Sequence, residues 1–209
     1  MKTRQFAKFL VGTAICAIAT SSFAQFGLPS LPGMGGKPAG GNAGVTAEQL
    51  VSKYVNGMKS VMSADVNMLQ ALGLKEQADK EALQLKNLTE GATSAALEDS
   101  AKIQTESSKA IGEQMEGKKV VLSADSKKQF AVGLIDLVKG VKNYIDMASD
   151  VKGFKPSITS IGSTAGAAIF IVKSLPDNIT NLTSSISRAV SFSKDNDIPV
   201  PADATSLLK

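Results

Sequence analysis

Paired carboxylates are the most reactive groups that local spacing brings together in this chain. Glu113 and Glu116 share a helical face at i, i+3, and Glu98 and Asp99 are adjacent. A di-metal centre in a helical bundle needs such carboxylates beside Glu-x-x-His motifs, and the chain has no histidine. The same absence removes the usual general base, the usual zinc ligand and the base of a nucleophilic triad. The one cysteine, Cys16, falls in an N-terminal targeting segment, so thiol nucleophiles, iron–sulfur ligation and haem attachment go with it. Ser and Lys are abundant, but a Ser/Lys dyad needs a lysine neutralised by burial in a cleft, and abundance supplies no cleft. No glycine-rich phosphate loop follows a strand pattern, since Gly162-Ser-Thr-Ala-Gly166 has the wrong spacing and setting. The carboxylate pairs read as solvated helix surface. The expectation is a protein that is not an enzyme, with no catalytic residues, no metal and no cofactor.

The targeting segment is the clearest signal in the chain. Lys2, Arg4 and Lys8 form a basic head, an apolar run extends from Phe9 to about Ala19, and Ser22-Phe23-Ala24 offers small residues at −3 and −1. That order is a secretory signal peptide over residues 1–24, cleaved after Ala24. Its apolar run is far short of the roughly 20 residues a membrane span needs. Removing it takes the basic count from 23 to 20 against 19 acidic residues, a net charge of +1. Arg188 is then the one arginine, and the lysines are interspersed with carboxylates. Nucleic acid binding wants a basic stripe with arginine and stacking aromatics, so no nucleic acid partner is expected. The remaining 185 of 209 residues can build one core. Without tryptophan, and with few Phe and Tyr, that core must be aliphatic, and no disulfide can reinforce it.

The elements follow from hydrophobic periodicity. Residues 25–45 are dominated by Gly and Pro and read as a disordered leader. A helical bundle domain is expected over 46–193, and an extended tail with Pro199 and Pro201 over 194–209. Thr46 and Gln49 make a capping box that opens the first helix. Leu50, Tyr54, Met58, Val61, Met62, Leu69 and Leu72 form its stripe, which Asp65 interrupts, and Gly73 suits its C-terminus. From Lys75 to Met115 the apolar face is thin, with Gln104 and Ser108 on a seam that otherwise runs through Leu97, Ala101, Ile111 and Met115. A break near Gly91 divides this region into two helices. Ser123 caps the strongest helix, whose core stripe includes Phe130, Leu134, Leu137, Val141 and Ile145. Residues 156–172 carry no charge. Gly162 and Gly166, each costing roughly 1 kcal/mol inside a helix, suggest close packing against the helix that starts at Ser123. Ser174-Leu-Pro-Asp177 reads as the cap of a separate last helix. The fold class is all-α, an antiparallel helical bundle of about five to six helices.

Export without catalytic chemistry gives the functional expectation. The chain reads as an exported, non-enzymatic helical-bundle protein, periplasmic or secreted, that acts as a binding, interaction or structural module. Its partner is another protein or a second copy of itself. The alternative is a membrane-active or lipid-handling helical protein that uses the uncharged 156–172 segment. Burial as a core helix, apolar all round, is the favoured account of that segment, so membrane contact is not the preferred reading.

Overall fold

The computed structural model describes residues 45–116, 120–154 and 163–209. The expected signal peptide and nearly all of the leader lie outside the described residues, as does Gly162. All regular structure among the described residues is helical: α1 (Ala47–Ala71), α2 (Lys75–Asn87), α3 (Ser94–Glu116), α4 (Ala124–Gly153), α5 (Ser163–Asp195) and α6 (Ala202–Ser206).

Helix α1 starts where its caps dictate. Thr46 Oγ1 accepts from the Gln49 N–H while Gln49 Oε1 accepts from the Thr46 N–H, so two otherwise orphan donors are satisfied reciprocally. It ends at Gly73, whose φ of +81° lets the Leu74 N–H return to the Leu69 carbonyl. Fourteen of its 25 residues are buried, and it touches α2, α3, α4 and α5. That makes α1 the central helix; of the uncharged 156–172 segment expected to be a buried core helix, residues 156–162 lie outside the described residues.

The tightest contact joins α1 to α4, which run antiparallel: Lys53 pairs with Asp150, and Ser63 with Asp136. Glycines make the approach. A Cβ on Gly133 would lie 2.9 Å from the Ala64 carbonyl oxygen, and one on Gly140 would lie 2.6 Å from Val61 Cγ2. On the facing helix, a Cβ on Gly57 would fall 2.5 Å from the Tyr144 ring. Gly133 and Gly140 are seven residues apart, as are Gly57 and Ala64, so small residues meet along one antiparallel seam. Tyr144 stacks on Tyr54 beside it, with ring centroids 5.1 Å apart, and Phe170 meets Tyr54 edge-on.

Three sequence expectations need correction. Ile145 is 42% exposed, whereas Phe130, Leu134, Leu137 and Val141 are buried. The buried row of α4 continues through Gly140, Tyr144 and Met147 toward α1, which leaves position 145 on its flank. Gly166 is exposed, and a Cβ there would meet Ser94 Oγ of α3 at 3.5 Å, an ordinary contact. The expected close approach of Gly166 to α4 is replaced by the Gly57, Gly133 and Gly140 seam. Finally, Pro176 begins no new helix but lies inside α5. An interior proline costs about 3 kcal/mol. Burial of Ile171 and Leu175 on one side of it, and of Leu182 and Ile186 on the other, keeps the helix continuous.

The tail from 194 onward is also structured rather than extended. Asp197 adopts φ 53° after the end of α5, and the Ile198 N–H bonds the Ser193 carbonyl at 2.8 Å. This left-handed cap turns the chain back and buries Ile198 at 4% exposure. Helix α6 then docks on α4 and α5, with Ala204 buried and Lys142 paired to Asp203 at 2.6 Å.

Candidate functional site

The polar residues that interrupt the apolar stripes of α1 and α3 are partners. Asp65 lies on α1 at 2% exposure, and its Oδ2 accepts from Gln104 Nε2 at 3.1 Å and from Ser108 Oγ at 3.4 Å. Gln104 also donates to Ser108 at 2.7 Å. A second acid, Glu81, comes from α2 and is fully buried. Its Oε2 accepts from Ser107 Oγ at 2.6 Å, while its Oε1 has no partner among the described residues. Antiparallel pairing of α2 with α3 sets this register, since Gln84, three residues after Glu81, meets Ser100, seven before Ser107.

Burial governs the charge state of both acids. Desolvation, the nearby Glu81 and, in the opposite sense, the bonds from Gln104 and Ser108 leave Asp65 well above the usual carboxylate range. Desolvation raises Glu81 to about 7 against the Ser107 bond and the attraction of Lys80. Burial thereby favours the neutral form of Asp65, and Glu81 titrates at about 7.

Gln104 and Ser108 have a second face. They form one wall of a groove of about 290 Å³ between α3 and α5, whose other wall includes Asn178, Asn181, Ser185 and Arg188. These two helices run parallel, with Ser94 opposite Gly166 and Gly112 opposite Arg188, so like positions rise together along the groove. At one end Asn178 Nδ2 donates to the Tyr54 hydroxyl at 2.8 Å. At the other, the Arg188 guanidinium lies over Gly112, where a Cβ would come within 3.0 Å of Nη1, and faces Glu116 at 3.6 Å. Lys109 is 3.8 Å from Glu113. Each cation of the groove therefore has a carboxylate beside it, and the surface between them carries amides and hydroxyls together with Leu182. A cavity of about 10 Å³ behind the wall is shared by Asp65, Ser108 and Arg188.

The residues singled out in the sequence distribute unevenly over this site. Asp65, Gln104 and Ser108, noted as interruptions of apolar stripes, come together at its α3 wall, with Asp65 behind it. The core residues Phe130, Leu134, Leu137 and Val141 stand away from the groove, and Leu137 alone reaches the small cavity beside Asp65. Gly166 and Ile145 line no part of the groove. Glu113 and Glu116 serve as ion-pair partners of its cations. Glu81 was missed, although Leu74, Ala78, Glu81, Leu85 and Leu88 follow at four- and three-residue steps, which places it on the inward face of α2. Among the described residues, no three Asp, Glu, His or Cys side chains group as a metal site would need. No family model matches the chain, and neither a curated protein nor a solved structure does.

Proposed function

We propose that this chain is an exported, non-enzymatic binding module whose α3–α5 groove takes an extended polar segment of a protein partner. One observation carries the reading. The raised acid nearest the groove, Asp65, is sealed behind the wall of Gln104 and Ser108, so a ligand in the groove meets Gln104, Ser108, Asn178 and Asn181 rather than that carboxyl. Amide side chains carry both donors and acceptors and so match the alternating N–H and C=O groups of a peptide main chain. The groove volume lies near the lower limit for ligand sites, which suits a narrow strand of chain better than a bulky cofactor. Export rests on the basic head, apolar run and Ser22-Phe23-Ala24 of the first 24 residues.

The test is site-specific photo-crosslinking in the producing cell. A photoreactive residue at exposed Asn181 should give one discrete product with a partner protein, and the same residue at exposed Val121 should not. Replacing Gln104 and Asn178 by Leu should abolish the product while leaving the helical circular dichroism spectrum intact. Equal products from positions 181 and 121, or none from 181, would remove the groove from the reading. Mass spectrometry of the same exported protein should find its N-terminus at Gln25. An N-terminus at Met1 would remove the export.

A further inference from the structure

Helix α2 is held to the bundle in an unusual way. Its two buried residues are Ala78 and Glu81, so a carboxyl occupies the place where an amphipathic helix ordinarily buries a large apolar side chain. Helix α3 is little better supplied: its buried residues are Leu97, Ser100, Ser107, Ile111 and Gly112. The start of α2 has no side-chain cap, with Leu74 at the N-cap. At mid-height Asp65 of α1 bonds Gln104 and Ser108 of α3, and Glu81 bonds Ser107 between α2 and α3, beside the apolar contacts of Ala78, Leu97 and Ile111. That polar cluster tolerates neutral carboxyls. It does not tolerate a buried negative charge on Glu81, one of whose oxygens lacks any partner.

We propose that the α2–α3 hairpin is a pH-responsive arm, docked on α1 while buried Glu81, beside Asp65, keeps its proton and loosened when Glu81 ionises. Release of the arm does not depend on a ligand in the groove. The charged groups that face the pair do not offset that charge. Lys80, on α2, is engaged by Glu106 of α3 at 2.7 Å on the exposed side. Arg188 of α5 borders the small cavity with Asp65 and faces Glu116. From α4 the group at that cavity is Leu137, which is apolar. By contrast, α1 and α4 are joined through the glycine seam and the buried tyrosines, and Asp65 bonds toward α3 rather than into that seam. Release can therefore stop at the arm. Gly73 and the Leu88–Thr93 segment flank α2 as its two turns, and the positive φ of Gly73 places a glycine at one of them.

Hydrogen exchange of the full chain, corrected for intrinsic rates, reads the arm directly. Glu81, moved from 4.5 to about 7, weakens docking roughly thirtyfold between about pH 5.5 and about pH 8.5. Amides of α2 and α3 should lose protection by that factor, while those of α1 and α4 hold theirs. Glu81→Gln, which removes the charge but keeps the shape, should make α2 and α3 equally protected at both pH values. Unchanged protection of the wild-type arm would overturn the proposal. So would loss of protection in α1 and α4 in step with α2 and α3, because that is global unfolding. Carbon-detected titration of the wild-type Glu81 carboxyl needs no variant, and a midpoint in the ordinary glutamate range would equally overturn it.

Discussion

A carboxyl sealed from water costs several kcal/mol when it is charged and unpaired, so Asp65 and Glu81 set the acid–base behaviour of this protein. Both are raised above their unfolded values, so the native state binds more protons than the unfolded chain. Stability is then greatest below about pH 4.5 as far as Glu81 is concerned and is lost as pH rises toward about 7. The Glu81 shift corresponds to about 3 kcal/mol. Urea unfolding should show this as a fall in stability across that interval, and Glu81→Gln should flatten the curve; a wild-type curve already flat would mean that Glu81 is solvated. At Asp65 the discriminating pair is Asn against Ala. Asparagine keeps an acceptor for Gln104 and removes the ionisation, so Asp65→Asn should change stability at neutral pH by less than about 1 kcal/mol. Asp65→Ala strands the Gln104 amide and should cost about 1–3 kcal/mol. Asp65 was visible in the sequence as a defect in one stripe, and Gln104 and Ser108 as defects in another. Their mutual pairing was not visible, because periodicity reports which face a residue takes and not which helix lies opposite.

Among the elements, the α1–α4 pair shows what periodicity conveys and what it omits. The capping box at Thr46, the C-terminal Gly73, the break near Gly91 and the stripe from Phe130 to Val141 were all legible, since each rests on local backbone chemistry or on one-dimensional spacing. Close approach was assigned to Gly166 because two glycines four residues apart stand out in an uncharged segment. Gly57, Gly133 and Gly140 are dispersed at seven-residue steps and on different helices, so only their three-dimensional meeting reveals them. Substitution separates the two sites. Gly140→Ala puts a methyl where Val61 Cγ2 and the Gly57 carbonyl leave no room and should destabilise by about 1–3 kcal/mol. Gly166→Ala meets only an ordinary contact and should stabilise by up to about 1 kcal/mol through helix propensity. The same measurement, thermal melting, checks the core boundary. Leu137→Asp, at a buried position, should unfold the domain or nearly so, whereas Ile145→Asp, 42% exposed, should melt close to the wild type. Equal losses at 137 and 145 would place Ile145 back in the core.

For the molecule as a whole, one helix acts as the axis and the others are held to it with very different strength. α4 is locked to α1 by small-residue packing, α5 by aliphatic residues on both sides of Pro176, and the α2–α3 hairpin by a few apolar side chains, Ala78, Leu97 and Ile111, together with polar groups. This gradient places the groove and the titrating acids on the less firmly held side, while the C-terminal segment reinforces the other. That reinforcement was hidden in the sequence because Pro199, Pro201 and short polar stretches resemble an unattached tail, and the turn depends on Asp197 taking a left-handed conformation that aspartate adopts more readily than most residues. Burial of an isoleucine contributes roughly 1.5–3 kcal/mol, and Ile198 together with Ala204 sits in the core cluster. The Lys142–Asp203 pair is exposed, and such pairs are worth less than about 1 kcal/mol. Truncation after Asn196 should therefore lower the melting temperature of the whole domain, and Ile198→Ser in the full-length chain should reproduce most of that loss. Asp203→Lys, which reverses the surface pair but leaves Ile198 and Ala204 in place, should melt within a degree or two of the wild type. If the truncated chain melts with the full-length protein, the tail covers nothing that matters to stability. If Asp203→Lys is as damaging as truncation, the ion pair rather than the buried isoleucine holds α6 to the bundle.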